Sequence, residues 1–484
     1  LQPDSAAFFQ GELEKLKYWT QVLFYGIFIG LMGKKKKKKK KENFVTVGFI
    51  ALGCPKNIVD SERMLAEIAQ AGLLISADPY QADVVVINTC GFIAPAKAEA
   101  LDIISQAVAC KKNGQIKKII VAGCLSERLG NDLFKEAAGI DAIVGLGSRD
   151  DIARIIKKTI EKSEPGIYLD HNCESIGDDK VRLLITPGHW AYLRISEGCN
   201  HNCSFCTIPS IRGRLKSKSA QTILEEAQQL AQAGVVELNI IAQDTTSYGK
   251  DLKIKNSLAD LLKLLDKIEQ INWLRLMYTY PTEIDSLLID TIADSEKIVR
   301  YLDMPIQHIN NDILKSMRRP DTKEKITQLI AQLHSAMPDI VLRTTVIVGF
   351  PGETDRQFEE LLDFIKQTKF DALGAFRYYP ESGTDAEQMP NQVPDEIKQQ
   401  RLDQLMLAQQ QIAFAKNKSR IDTELTCLVD SVEANAVAQG RFFGQAPDID
   451  SICIINNCTA EQGQFIRTKI TGTQDYDLLA QQKI

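Results

Sequence analysis

The chain has 484 residues, 44% hydrophobic and 25% charged, which is ordinary globular composition and too long for one core, so about three domains are expected. Its formal charge is −5, but Lys34 to Lys41 is an unbroken run of eight lysines, and taking these away leaves −13. That balance makes a poor generic nucleic-acid binder, since phosphate affinity comes mainly from Lys and Arg. Eleven cysteines without a secretory signal point away from a disulfide scaffold and towards metal or redox chemistry in the reducing cytoplasm.

Residues 1–43 look foreign to the rest of the chain. Tyr18 to Met32 is apolar, but Thr20 and Gln21 interrupt it, and it is shorter than the ~20 residues that cross a bilayer. Met32 is therefore favoured as the true start, with the upstream residues an artefact of the gene model, over a short anchor with its lysines at the cytoplasmic surface. The lysine run is expected to be a disordered tail, because like charges repel, and no stable membrane association is expected.

From residue 44 the pattern alternates between strand and helix. Strands are predicted at 44–52, 82–89, 117–123 and 141–147, with helices at 58–72, 95–110 and 148–161. Residues 82–89 are nearly all apolar, as in a parallel strand buried on both faces. Residues 44–162 thus form an amino-terminal domain of α/β class with an open parallel sheet, and 163–190, with Pro165, Gly166, Pro187 and Gly188, form a linker.

A second β/α series fills 191–417, with strands at 191–196, 235–241, 273–279, 298–304, 342–350 and 370–376. Six units are too few for the eightfold barrel, so an incomplete (β/α)6 barrel is expected. The helices include 219–232, 256–268, 310–317, 323–336, 355–368 and a last stretch at 395–417. Residues 418–484 read as short alternating strands that close a small barrel of the oligonucleotide-binding type.

Two sets of cysteines stand out. Cys199, Cys203 and Cys206 lie in the loop after the first barrel strand, at the end where barrel active sites are built. Three thiolates can hold a four-iron four-sulfur cluster and leave one iron open. A zinc site using His201 is the main competitor, but structural zinc takes four ligands, commonly as two separated pairs, and no second pair is present at that spacing. Cys54, Cys90 and Cys124 each sit just past the carboxyl end of a predicted strand. Those ends share one edge of a parallel sheet, so residues 36 and 34 positions apart can converge on a second cluster. Cys110, Cys173, Cys427, Cys453 and Cys458 lack such a pattern and are assigned to packing.

The cysteine spacing, with Phe205 before the last cysteine, resembles the radical S-adenosylmethionine signature. That resemblance implies that S-adenosylmethionine chelates the open iron and is cleaved reductively to a 5′-deoxyadenosyl radical. VIVGFPGE (346–353) is similar to the segment of that family that lies against the adenine, which implies cofactor contacts for Phe205, Gly349 and Glu353. LGCPKNIVDSE (52–62), INTCGFI (87–93), VAGCLSE (121–127) and GQFIRTKITGTQDYDLL (463–479) resemble the methylthiotransferase family, including its terminal TRAM domain, across residues 44–484. The family implies two four-iron four-sulfur clusters, S-adenosylmethionine used both to methylate a carried sulfur and to make the radical, and an electron donor of flavodoxin or ferredoxin type.

Within the family, AQDTTSYG (242–249), YLDMPIQHINNDILKSMRRP (301–320) and RFFGQAPDIDS (441–451) resemble the branch that modifies an aspartate β-carbon in protein twelve of the small ribosomal subunit, free or in the ribosome. Ser451 departs from it, standing where that branch usually has glycine. Residues 419–484 carry five Lys/Arg against nine Asp/Glu, a balance of −4 that suits a basic ribosomal protein better than phosphates. The branch that modifies a tRNA adenosine is the alternative, and a non-catalytic iron–sulfur redox sensor is the alternative outside enzyme chemistry.

Overall fold

The computed structural model describes residues 45–170, 176–255 and 257–483. The expectations for residues 1–43 and for Cys173 lie outside the described residues. Two compact units are present: residues 45–170 with Val181–Ile185, and residues 176–180 with Thr186 onward.

The first unit is a parallel sheet of six strands in the order β2-β1-β3-β4-β5-β6, formed by β1 (Thr46–Ala51), β2 (Leu74–Ile75), β3 (Val84–Thr89), β4 (Lys118–Gly123), β5 (Ala142–Val144) and β6 (Gly166–Tyr168). Every residue of β3 is buried, because strand alternation sends Val84 and Val86 to one face and Val85 and Ile87 to the other. Val84 and Val86 pack with Met64 and Ile68 of the helix Pro55–Gln70. Val85 and Ile87 pack with Ala100, Ile104 and Ala107 of the helix Ala94–Lys112. The strand order reverses between β1 and β3, and in open α/β sheets that switch point is where ligands bind. The short edge strands β2 and β6 carry too few apolar residues to be seen in the sequence, and β6 falls in the stretch expected to be linker.

In the second unit, six parallel strands run in the order β14-β13-β12-β11-β10-β7 without closing. They are β7 (Trp190–Arg194), β10 (Glu237–Ile241), β11 (Trp273–Leu276), β12 (Ile298–Asp303), β13 (Val341–Val348) and β14 (Ala372–Arg377). The incomplete barrel is therefore observed. Side-chain caps start its helices: Ser219 accepts from the Thr222 N–H, Thr322 from Lys325, and Thr354 with Gln357 forms a capping box before the helix Asp355–Thr368. A two-stranded ribbon, β8 (Ser196–Glu197) against β9 (Lys216–Ser217), closes the base of the cysteine loop.

The helix Asp395–Ser419 leads into a closed barrel of β15 (Glu424–Val432), β16 (Ala438–Phe442), β17 (Cys453–Asn456), β19 (Asp477–Gln482) and β18 (Phe465–Gln474). It meets the larger sheet mainly near the amino ends of its strands. Arg441 pairs with Glu237, the first residue of β10, at 2.8 Å, and Trp273, the first of β11, packs edge-on to Phe465. His189, just before β7, bonds Asp430 at 2.8 Å. The Tyr301 hydroxyl donates to Asp450 at 2.7 Å, and the Tyr192 hydroxyl to Asp448.

These contacts engage part of the charge counted in the sequence. Asp430, Asp448 and Asp450, three of the nine carboxylates counted, face the larger sheet, while Asp422 and Glu424 pair with Lys469 and Lys483. Asp422 and Glu424 balance lysines already counted in the −4, and Glu433, Glu461 and Asp475 are exposed, so part of the acidic excess stays at the surface. The departing Ser451 accepts from the Gln445 amide at 3.1 Å, a local contact that leaves the turn intact. Cys427, Cys453 and Cys458 are buried, and Cys110 packs on the core of the first unit.

Candidate functional site

In the first unit the three cysteine turns touch one another. Cys54 ends the loop after β1 as the N-cap of the helix Pro55–Gln70, Cys90 follows β3, and Cys124 follows β4 as the first residue of the helix Cys124–Leu129. Gly53 has φ +95°, and a Cβ there would lie 2.7 Å from the Cys90 Cβ. A Cβ on Gly91 would lie 2.7 Å from the Leu125 Cα, and one on Gly123, φ +93°, 2.2 Å from the Asn88 Oδ1. Glycine is needed because neighbouring turns occupy the space a side chain would take. Cys54 and Cys90 are half-buried and Cys124 is buried. Three sulfurs at one sheet edge, one of them at a helix N-terminus that favours anions, form a donor set fit for an iron–sulfur cluster.

In the second unit Cys199, Cys203 and Cys206 occupy one loop and are all half-buried. Backbone N–H groups of His201 and Ile208 donate to the sulfurs of Cys199 and Cys206, each at 3.4 Å. Burial pushes the Cys199 thiol up to about 11 and the Cys206 thiol up to about 12, so a metal's positive charge is what would hold them as thiolates. Burial also raises Cys203, against the neighbouring Arg319 guanidinium and hydrogen bonds from Tyr280 and Arg319. The loop is pinned: Ser204 donates from its N–H to the Met317 carbonyl and from its hydroxyl to that of Ser316, and its own carbonyl accepts from Ala386.

The side chain of His201 is engaged away from the three sulfurs. Its Nε2 bonds Asp244 at 2.7 Å, and its ring stacks on Tyr280 with centroids 3.9 Å apart and planes 10° off parallel. Arg319 lies over the Tyr280 ring at 4.0 Å, and its charge is matched by Asp321. Among the described residues no three His, Cys, Asp or Glu side chains are grouped to hold a single metal ion.

The Phe205 ring meets Phe350 edge-on at 6.4 Å, beside Ile313, Met317 and Tyr378, and so joins the cysteine loop to the GFPGE turn. Gly349, φ +72°, passes so close to Lys398 that a Cβ would lie 2.2 Å from its Cγ. The buried Glu353 carboxylate accepts from the Gly349 N–H at 2.9 Å and from Arg401 at 2.8 Å. Glu353 therefore shapes the turn, with an oxygen committed to each of these partners.

Several residues that sequence reasoning missed lie close by. Glu197, two positions before Cys199, is gripped by Arg194 and Arg212 at the two ends of the loop. Arg194 also pairs with Asp179 at 2.7 Å, and Asp179 with Lys218 at 2.6 Å, all of them buried. Asn239 shares the strand face of Glu237, and the buried polar atoms of Ser196, Asn239 and Gln243 have no protein hydrogen-bond partner. Such atoms are met by water or by a polar ligand. A polar residue at every second position of an otherwise apolar strand, as in Glu237 and Asn239, was the available signal.

Known proteins agree with this architecture. Residues 193–365 match the radical SAM superfamily, residues 46–145 the uncharacterized protein family UPF0004, and residues 421–482 the TRAM domain. The chain is 43% identical to the ribosomal protein uS12 methylthiotransferase RimO of Citrifermentans bemidjiense over 90% of this chain and 98% of that protein. It is 42% identical to RimO of Bdellovibrio bacteriovorus over 90% and 97%, and 43% identical to that of Clostridioides difficile over 89% and 97%. The radical S-adenosylmethionine methyltransferase TsrM of Kitasatospora setae superposes with a TM-score of 0.51 at 14% identity, covering 71% of this chain and 74% of that one, a likeness of fold.

Proposed function

The chain belongs to the ribosomal protein uS12 methylthiotransferase family of radical S-adenosylmethionine enzymes, and from that membership we propose that it replaces a β-hydrogen of one uS12 aspartate by a methylthio group. In this proposal Cys199, Cys203 and Cys206 hold one four-iron four-sulfur cluster, and Cys54, Cys90 and Cys124 hold a second. The single observation that carries it is the mutual contact of the three cysteine turns in the first unit, in a chain whose second unit has a complete radical-SAM loop. When bound, the clusters and S-adenosylmethionine supply the one-electron chemistry, the sulfur and the methyl group.

The protein's own residues do the holding. The N–H groups of His201 and Ile208 orient the sulfurs of Cys199 and Cys206, and Tyr280 with Arg319 faces Cys203. Phe205 and Gly349 line the cofactor side, Glu353 keeps the Gly349 turn in place, and Ser196, Asn239 and Gln243 offer it polar atoms. The reaction is placed in the cytoplasm with an electron donor of flavodoxin or ferredoxin type. Among the described residues no helix is long and apolar enough to cross a membrane.

The test is anaerobic reconstitution with iron and sulfide, then S-adenosylmethionine, reductant and either uS12 or tRNA, with mass spectrometry of each substrate. Methylthio on one aspartate of uS12 supports the proposal. Methylthio on tRNA alone overturns the target and keeps the chemistry. No product and no cleavage of S-adenosylmethionine would leave a redox sensor in its place.

A further inference from the structure

We propose that Asn57 is a positioning residue of the first unit's site, a side chain that ties the Cys54 turn to the Cys90 turn and lies against the Cys124 sulfur. This rests on the proposal that Cys54, Cys90 and Cys124 hold a cluster. Asn57 is fully buried in the first turn of the helix Pro55–Gln70. Its Nδ2 donates to the Leu52 carbonyl at 3.1 Å and to the Thr89 carbonyl at 2.9 Å. Its Oδ1 lies 3.4 Å from the Cys124 sulfur, whose thiol donates to it. One planar amide thus meets the first turn two residues before Cys54, the second one residue before Cys90, and the third at the ligand itself.

The surroundings hold the amide in that pose. Asn88, also buried, donates from its Nδ2 to the Asn57 carbonyl at 3.0 Å and to the Ser61 hydroxyl at 2.8 Å, fixing the turn of helix that carries Asn57. A Cβ on Gly53 would lie 3.1 Å from the Asn57 Nδ2, so the glycine beside Cys54 leaves the amide its room. The Leu52 and Thr89 carbonyls need two donors on one short rigid group, which among side chains of this length asparagine supplies. Aspartate has the same shape and, ionised, no donor, so the Leu52 and Thr89 carbonyls would lose their tie. Neither carbonyl changes protonation when metal binds, so both bonds serve the metal-free and the loaded chain alike. Groups that orient ligands without touching metal commonly change affinity by about 10–100-fold.

The experiment uses the full chain with Cys199, Cys203 and Cys206 replaced by alanine, so that only the first site can load. Asn57→Asp and Asn57→Ala are compared with this parent for iron and sulfide content, for the rate of iron loss to a chelator, and for the electron paramagnetic resonance of the reduced cluster. Circular dichroism and thermal unfolding of the metal-free chains are recorded alongside. The expected result is a metal-free Asn57→Asp chain that folds like the parent, loses iron about tenfold faster or more, and shows a shifted resonance. Equal iron retention with an unchanged resonance in both variants overturns the proposal. Loss of the metal-free fold in Asn57→Asp overturns it too, by assigning Asn57 to folding alone. A parent that takes up no iron is a different failure, since it removes the cluster from the first unit altogether.

Discussion

The two cysteine sites are built in opposite ways. Cys199, Cys203 and Cys206 share one loop of eight residues, closed at its base by β8 and β9 and by the Arg194–Glu197–Arg212 grip. Cys54, Cys90 and Cys124 are spread over 71 positions and meet only because β1, β3 and β4 are parallel neighbours. The local site depends on loop chemistry, and the distributed site on the register of a whole sheet. The second kind is therefore more exposed to damage from residues that never touch a ligand.

The largest effects separate the two sites by role. Cys124→Ala should abolish methylthio transfer while the second unit keeps its iron and still cleaves S-adenosylmethionine; product from this variant would remove the distributed site from the reaction. Cys199→Ala should abolish both cleavage and product while the first unit keeps its iron, as iron analysis and 5′-deoxyadenosine assay would report. Next comes a pair of glycines. Gly123→Ala forces a Cβ to 2.2 Å from Asn88 and should cost the first unit about 1–3 kcal/mol or more in urea unfolding. Gly213→Ala, φ +75° in the local loop with nothing within 4 Å, should cost only about 1 kcal/mol of backbone strain. Equal losses would mean that the distributed site is no more tightly constrained than the local one.

Arg319→Leu removes the cation stacked on Tyr280 beside Cys203 and should slow product formation about 10–100-fold with the fold kept, which turnover against thermal midpoint would show. The last effect lies away from both sites. For Asp430, burial is outweighed by Arg441 and His189, which hold its carboxyl below the ordinary value. Its stabilisation is present above the unfolded value of about 3.9 and is lost as pH falls through the depressed folded value. Asp430→Asn should cost about 1–3 kcal/mol at neutral pH and flatten the acid limb of stability against pH. An unchanged acid limb would show that this contact does not hold the small barrel.

Legibility followed distance along the chain. Cys199, Cys203 and Cys206 lie within eight residues, so their grouping could be read directly from the sequence. The distributed trio was legible by a weaker route, through strands ending at Cys54, Cys90 and Cys124, because period-2 and buried-strand patterns locate strand ends to within a few residues. Asn57 and Ser196 were not legible, since an isolated polar residue looks the same whether it is solvated or buried. The charge of residues 419–484 was incomplete for a related reason: a sum of charges does not record that Asp430 and Asp450 turn inward to His189, Arg441 and Tyr301.

Local pattern alone determined the β/α order, the open six-stranded barrel, the closing small barrel and the places of the six cysteines in it, because periodicity and spacing are short-range properties of the chain. Tertiary structure decided which polar groups face one another. The strand order with its switch between β1 and β3, the Asn57 amide between three turns, and the His201–Tyr280–Arg319 stack all come from packing of residues far apart in sequence. A buried hydrogen bond or ring stack is set by where two distant backbones come to rest, and no local repeat encodes that position.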